Sequence, residues 1–431
     1  MDFDTLETDS LKIGVEMYKW ASDLFPLNRS ITGQGNRETL QYLKKLLPDL
    51  KINNFKSGEE VFDWTIPDEW HIEEGYIDDE FGNRIIDFKS NNLHILGYSE
   101  PVDNWLTLDE LNNYLHSLPE QPNAIPYITS YYKRKWGFCI THEQRMSLKD
   151  IKYHAVIKSN FFKGQLDYGE LIIQGQLKDE ILLSTYICHP SMGNNELSGI
   201  VVTTALAQLL STKKVNRFTY RILFIPETIG SIAYLSLNLK HLKNHVKAGY
   251  VITCVGDNNN YSFLPSRTGD TYADKIARYV LDNFVEYYKE YSFLERGSDE
   301  RQYCSPLVNL PVVSIMRSKY GTFPEYHTSL DNLNFISESG LYGAFKIYET
   351  LFNIIEENII YKPLIHCEPQ LGKRGLYNIS SNEDADILVN LIAYIDGNLD
   401  LIDLSCILKV NIFELKLSTD ILLKNDLISK F

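Results

Sequence analysis

Positive charge is what this chain is shortest of. Against 57 Asp and Glu stand 42 Lys and Arg, a formal net charge of −15 over 431 residues. That balance argues against a polyanion-binding surface over most of the molecule. Long hydrophobic runs are missing too. No apolar stretch approaches the ~18 residues that a bilayer-crossing helix needs, so no membrane span is expected. Cysteine is scattered: Cys139, Cys188, Cys254, Cys304, Cys367 and Cys406 form no CxxC pair, which excludes a disulfide framework. The first residues lack the basic and apolar pattern of a secretion signal, and the expectation is a cytoplasmic protein.

What is present describes a folded protein, 44% apolar and 23% charged. The chain is too long for one ordinary core, so two or three domains are expected. Residues 11–48 read as two helices around the polar turn LNRSITGQG. From about 55 to 150 the texture becomes acidic, rich in Trp, Pro and turn residues, with short alternating strands such as RIIDF and HILGY. That is the signature of a small β-rich module. From 151 to about 355 apolar strands (YHAVIKS, GELIIQG, EILLSTYI, YRILFIP, AGYVITCV, LPVVSIM) alternate with helical stretches, as in an α/β sheet covered on both faces. The end of the chain carries three short helices and resembles a winged-helix or helix-turn-helix module. From Pro363 to Phe431 it holds six Lys and Arg against ten Asp and Glu. A DNA-reading module is normally basic, so a packing or interaction role is favoured over nucleic-acid binding. The expected division is an α/β domain from 1–54 and 151–362, an inserted β-rich domain over 55–150, and a winged-helix-like domain over 363–431.

The chemistry gathers at strand ends. His189 lies in CHPSMGNNELSG with Asn194, Asn195 and Glu196, Glu227 follows the strand RILFIP, Asp257 follows AGYVITCV, and His327 lies with Asp331 in FPEYHTSLDNL. In α/β sheets binding residues collect at the carboxyl ends of strands. Two histidines with a carboxylate and a water are the donors of a catalytic zinc site, and a further carboxylate must take the proton from that water. Glu227 suits that last role. Each residue also has a plainer reading. His189 could be a hydrogen-bonded structural residue, Cys188 a packed thiol rather than a nucleophile, Glu227 a helix-capping acid and His327 part of a turn. Together these plainer readings require several coincidences. The polar run GSDERQYCSP adds Asp299 and Arg301, which could hold a substrate amine or carboxylate, or belong to a solvated loop.

The order and character of these segments resemble the metal-dependent aminopeptidases of the clan that also contains glutamate carboxypeptidases and glutaminyl cyclases. The clan carries a His-containing strand end, then (N)D-N-x-S-G, an E-E segment leading into a Gly-Ser helix, D-M-x-G and a late Y-H-T-x-x-D. This chain has CHPSMGNNELSG, PETIGSIAYL, TCVGD and YHTSLDNL in the same order, over roughly residues 11–50 and 151–355. The phrases CHPSM, GSDERQYCSP, TSYYKRKWGF and EPQLGKRGLY resemble more closely still a bacterial aminopeptidase-like family associated with surface-polysaccharide biosynthesis. The resemblance implies an α/β fold: a three-layer aminopeptidase-like domain with a mixed sheet, an inserted β-rich domain and a C-terminal winged helix.

Carried over by position, it makes His189 and His327 metal ligands and Glu227 the general base. The departures lie at three of the clan's ligand positions, where this chain has Asn195, Thr228 and Thr253. A neutral amide or hydroxyl is a weak partner for a divalent cation, so one zinc rather than two is expected, on His189, His327 and either Glu196 or Asp257. Glu227 as a ligand instead of the base stays open. The leading function is a zinc-dependent hydrolase of an amide bond, with a small peptide-like or acylated-sugar substrate. A non-catalytic binding or scaffold protein and a DNA-binding regulator are the competitors. A homo-oligomer is left open.

Overall fold

The computed structural model describes residues 3–376 and 382–431, with side chains over 12–376 and 386–431. The end of the EPQLGKRGLY phrase, from residue 377, lies outside the described residues. No helix among the described residues is long and apolar enough to cross a membrane.

Eight strands form one mixed sheet. They are β1 (Lys51–Lys56), β2 (Gln165–Ile173), β3 (Glu180–Tyr186), β4 (Thr219–Ile225), β5 (Val246–Val251), β6 (Tyr261–Leu264), β7 (Tyr288–Glu290) and β8 (Val312–Met316). Their spatial order is β1-β2-β4-β3-β5-β8-β6-β7. The central four, β4, β3, β5 and β8, pair in parallel. The pairs β1–β2, β2–β4 and β6–β8 are antiparallel. Every residue of β3 and β4 is buried, which is why EILLSTY and TYRILFI are nearly continuous apolar runs instead of alternating ones.

Four helices matter for the site: α1 (Phe3–Leu24), α2 (Gln34–Leu46), α3 (Gly199–Thr212) and α4 (Ile229–His245). Helix α3 is apolar nearly all round and buried along most of its length, as a helix enclosed in the core must be. It starts hard against the end of β5. A Cβ at Gly199 would lie 2.4 Å from the Ile252 carbonyl oxygen, so only glycine lets the helix begin there.

The inserted module has its own antiparallel sheet, in the order Arg84–Asp87, Glu69–Asp79, Lys152–Phe162, Val102–Thr107. This corrects one element of the sequence reading. YHAVIKS lies within Lys152–Phe162 and belongs to this sheet, not to the α/β sheet. Its apolar run Ala155–Ile157 reads locally like a buried parallel strand, but its register partner, Glu69–Asp79, is more than 70 residues away in sequence. The module and the α/β sheet lie within one compact unit, residues 1–277 and 285–346. It docks directly on the loop that carries His327. The backbone N–H of Tyr127 donates to the His327 carbonyl at 2.8 Å, and that of Ser329 to the Ile125 carbonyl at 2.9 Å.

Residues 278–284 and 347–431 form a second unit. In it the helices Asn382–Tyr394, Leu401–Leu408 and Ile412–Lys424 accompany a two-stranded wing of Tyr361–Pro363 and Ile428–Lys430.

Candidate metal centre and catalytic cavity

Because β3, β4, β5 and β8 run parallel, their carboxyl ends open on one edge of the sheet. His189 follows β3, Glu227 follows β4, Asp257 follows β5, and the His327 loop comes after β8. Four non-glycine residues around this edge, Ser191, Thr228, Cys254 and His327, hold φ between 46° and 64°. Each such residue costs about 1–3 kcal/mol, and such strain concentrates at functional sites.

His189 and His327 are brought together, with ring centroids 5.2 Å apart. His189 Nε2 lies 3.8 Å from Glu227 Oε2. The opposite nitrogen, Nδ1, is 3.0 Å from Glu196 Oε2, which also accepts the His189 backbone N–H. The other Glu196 oxygen accepts from Arg29 Nε at 2.8 Å, with both side chains fully buried. Arg29 also donates to the carbonyls of His189 and Leu24. A carboxylate so placed keeps the proton on Nδ1 and turns Nε2 into the cavity. Cys188, His189 and Glu196 do offer donor atoms within 4.8 Å of one another. However, the two Glu196 oxygens are already committed, and burial holds the Cys188 thiol well above its ordinary pKa. Burial pulls the His189 imidazole down, but the hydrogen bond and charge of Glu196 outweigh it and leave it raised.

His327 Nε2 is buried and has no hydrogen-bond partner among the described residues. Its ring stacks on Tyr326 at 3.9 Å and meets Tyr127 edge-on at 5.2 Å. Burial, with His189 beside it, pushes its pKa down to about 3, so the imidazole is neutral. A neutral imidazole with an unsatisfied buried nitrogen is the donor that a zinc ion requires. Glu227 is raised by burial, against the lowering influence of His189 and of Ser298, whose hydroxyl donates to Oε1 at 2.7 Å.

Of the remaining candidates Arg301 lines the cavity with these groups, and the others do not. The Asp257 carboxylate accepts from Asn194 Nδ2, the Asn259 N–H, and the N–H and hydroxyl of Ser318, so it serves the loop framework. Asp299 lies behind Glu227. It accepts from the Thr228 N–H and the Ser231 hydroxyl through Oδ1, while Oδ2 is unpartnered. Burial, then the nearby Glu227 charge, pushes Asp299 up to about 8. Arg301 is exposed at the rim and donates to Thr228 Oγ1 at 2.8 Å. Asp331 caps the backbone N–H groups of Asn194 and Asn195.

Where the clan resemblance expects further acidic ligands, the structure has a neutral network. Tyr186 donates to Asn195 Oδ1 at 2.5 Å and accepts from Thr253 Oγ1 at 2.6 Å. A cavity of about 320 Å³ joins the pieces, with His189, Glu227, His327 and Arg301 on one side and Trp64, Tyr127, Tyr131 and Tyr132 of the inserted module on the other. Arg29, Tyr127 and Tyr186 were not singled out from the sequence. Arg29 sits in an ordinary polar turn, and the two tyrosines carry no local signal that separates them from the other 26 in the chain.

Residues 18–358 match a family model described as a domain of unknown function (DUF4910), and residues 359–430 match a winged helix-turn-helix model. A Clostridium acetobutylicum protein, provisionally named for polysaccharide biosynthesis with an aminopeptidase-like domain, is 48% identical over 372 residues, 86% of this chain and 85% of its own length. A crystal structure from C. acetobutylicum, described provisionally as a peptidase, matches with a TM-score of 0.93 at 43% identity and covers 99% of both chains. A zinc aminopeptidase of Bacillus subtilis matches with a TM-score of 0.59 at 14% identity, over 79% of this chain and 94% of its own. At that identity it bears on the fold alone. The architecture is thus aminopeptidase-like, a mixed α/β unit with a large mixed sheet, followed by a C-terminal winged helix.

Proposed function

This chain belongs to the family described as DUF4910, and we propose that its aminopeptidase-like unit hydrolyses an amide bond with the help of a single zinc ion. The observation that carries the reading is the convergence of His189 Nε2, the unpartnered His327 Nε2 and the Glu227 carboxylate on one cavity. His189 and His327 would hold the ion. Bound there, zinc supplies Lewis acidity toward the amide carbonyl and acidifies a bound water. Glu227 takes the proton of the attacking water at Oε2, and Ser298 steers the carboxylate by holding Oε1. Glu196 and Asp257, the two acids expected as a third ligand, are committed to Arg29 and His189 and to the Asn194–Ser318 framework. Glu227 is then the one carboxylate lining the cavity among the described residues. Arg301 at the rim is the substrate-positioning candidate, while Asp299, fully buried behind Thr228, acts only through the groups it holds. The relative's name supports an aminoacylated or acylated sugar as the carrier of the amide.

The neutral Tyr186–Asn195–Thr253 network favours a second reading, a binding or scaffold protein on an aminopeptidase-like fold. Metal content and turnover separate the two. The hydrolase reading expects about one zinc per chain, lost in His189→Ala. It expects Glu227→Gln to keep its zinc while amide hydrolysis falls by about 10²–10⁴-fold. A wild-type chain that takes up no zinc when supplied with it sinks this reading.

A further inference from the structure

We propose that the cleft running outward from this cavity along Thr129–Trp136 binds an acidic saccharide. Three depressions, of about 320, 280 and 890 Å³, follow one another across the inserted module, and Tyr131 and Tyr132 wall all three. The segment that joins them, TSYYKRKW, has no part in the chemistry proposed above.

Charge is the first argument. The three depressions together are lined by five cations, Lys133, Arg134, Lys135, Lys163 and Arg301, and three acids, Asp68, Glu100 and Glu227. The whole chain has 42 cations against 57 acids, so this cleft is a local reversal of sign. Asp68 already takes up Arg134 and Lys163, at 3.4 and 2.6 Å. Lys133 and Lys135 are exposed and have no ion pair among the described residues. A cationic cleft on an acidic molecule steers anionic ligands into it.

Aromatic surface is the second. Trp64 and Tyr132, 39% and 53% exposed, meet edge to face at 5.7 Å beside the inner cavity. Tyr114 and Trp136 stack at 3.6 Å in the outer depression. Exposed aromatic faces grouped along a cleft mark a binding surface, and the C–H faces of pyranose rings pack on such rings. Asp68 and Glu100 in the walls decide between ligand classes. Carboxylates repel the dense phosphates of a nucleic acid but accept hydrogen bonds from hydroxyl groups. Cations beside acceptors and flat rings suit a ligand rich in hydroxyls with sparse negative charge. This deepens the hydrolase reading by naming what carries the amide, and rests on that reading only for which end of the ligand reaches Glu227.

The test is a fluorescence titration of the full chain, using Trp64 and Trp136 as reporters, with a four-residue oligogalacturonate, neutral maltotetraose and a short oligothymidylate. The oligogalacturonate is expected to bind saturably, to weaken as salt rises, and to bind about tenfold tighter than maltotetraose, the size expected of two partly exposed charge contacts. Lys133→Gln/Lys135→Gln is expected to erase that preference, and Tyr132→Ala to weaken both saccharides. Equal binding of the acidic and neutral saccharides, no saturable binding of either, or tighter binding of oligothymidylate would each overturn the proposal. The probes carry no amide and need no metal. Saccharide binding by a chain without zinc or turnover would therefore fail the hydrolase reading alone, and zinc-dependent amide hydrolysis without saccharide binding would fail this one alone.

Discussion

Arg29 is the residue whose loss should reveal most about the site. Its side chain is fully buried against Glu196 at 2.8 Å and also serves two carbonyls, Leu24 O and His189 O. Arg29→Met removes the cation and strands the carboxylate in a dry environment. Breaking a buried pair by deleting one partner costs about 3–5 kcal/mol, because the remaining charge loses its compensation. Removing both charges, as in Arg29→Met/Glu196→Leu, should cost distinctly less than the sum of the single changes, since nothing charged is left behind. Urea unfolding of the wild type, both single variants and the double variant closes the cycle.

The functional arm follows from the same contacts. Glu196 accepts from the His189 backbone and Nδ1, so Glu196→Gln disturbs the tautomer and aim of His189 without removing a nitrogen ligand. Loss of such an orienting partner weakens metal affinity by about 10–100-fold. Zinc competition against a chromophoric chelator reads this directly. If Glu196→Gln abolishes zinc uptake altogether, Glu196 is a ligand and not an orienting partner of His189. If Arg29→Met costs less than about 1 kcal/mol, the two charges do not compensate each other as a buried pair.

Two further outcomes concern stability. Tyr186→Phe deletes the hydroxyl that satisfies both Asn195 and Thr253, and should cost about 1–3 kcal/mol in urea unfolding while leaving zinc content unchanged. A change under 0.5 kcal/mol would mean that another group satisfies these two. His94 is buried with Nδ1 2.8 Å from the Cys139 carbonyl, and burial lowers its pKa. The unfolded chain takes up this proton first as the medium acidifies. The contribution of His94 is therefore complete above the ordinary histidine range and is lost as pH falls through the folded value. Unfolding midpoints measured from pH 7.5 downward should show this loss, reduced in His94→Gln. Equal acid sensitivity in the two proteins would place the loss on other groups.

The sequence carries the part of this site that depends on local pattern. Strands such as Glu180–Tyr186 and Thr219–Ile225 are continuous apolar runs, and the polar residue just past each is bound to sit at the sheet edge. His189 and Glu227 are legible for that reason, and His327 by the polar segment YHTSLDNL. Pairings across long distances are not. Arg29 and Glu196 are 167 residues apart, and nothing in the turn LNRSITGQG marks its arginine as the one that is buried. Glu196 and Asp257 were expected near the metal because they are acids beside the histidine motif and at a strand end. The long-range partners that hold them, Arg29 for Glu196 and Asn194 and Ser318 for Asp257, come from other loops. The strand Lys152–Phe162 is illegible for the same reason, its sheet being fixed by its pairing with Glu69–Asp79 and not by its own composition.

The three neutral replacements at the clan's acidic ligand positions act as a set. Asn195 and Thr253 are tied together through the Tyr186 hydroxyl in a fully buried network, and Thr228 is held at positive φ by Asp299. Restoring one acid leaves that network in charge of the space. An aspartate at 195 would still accept from Tyr186 inside a fully buried network, and burial would favour its protonated form. Asn195→Asp alone should therefore not raise zinc above the wild-type content. Adding Thr228→Glu and Thr253→Asp supplies enough negative charge for a second cation to compete with internal hydrogen bonds, and Tyr186→Phe removes the hydroxyl between them. Metal analysis of the single and combined variants checks this order. A second zinc in Asn195→Asp by itself would show that the site was only one charge short, and that the Tyr186 network does not hold it closed.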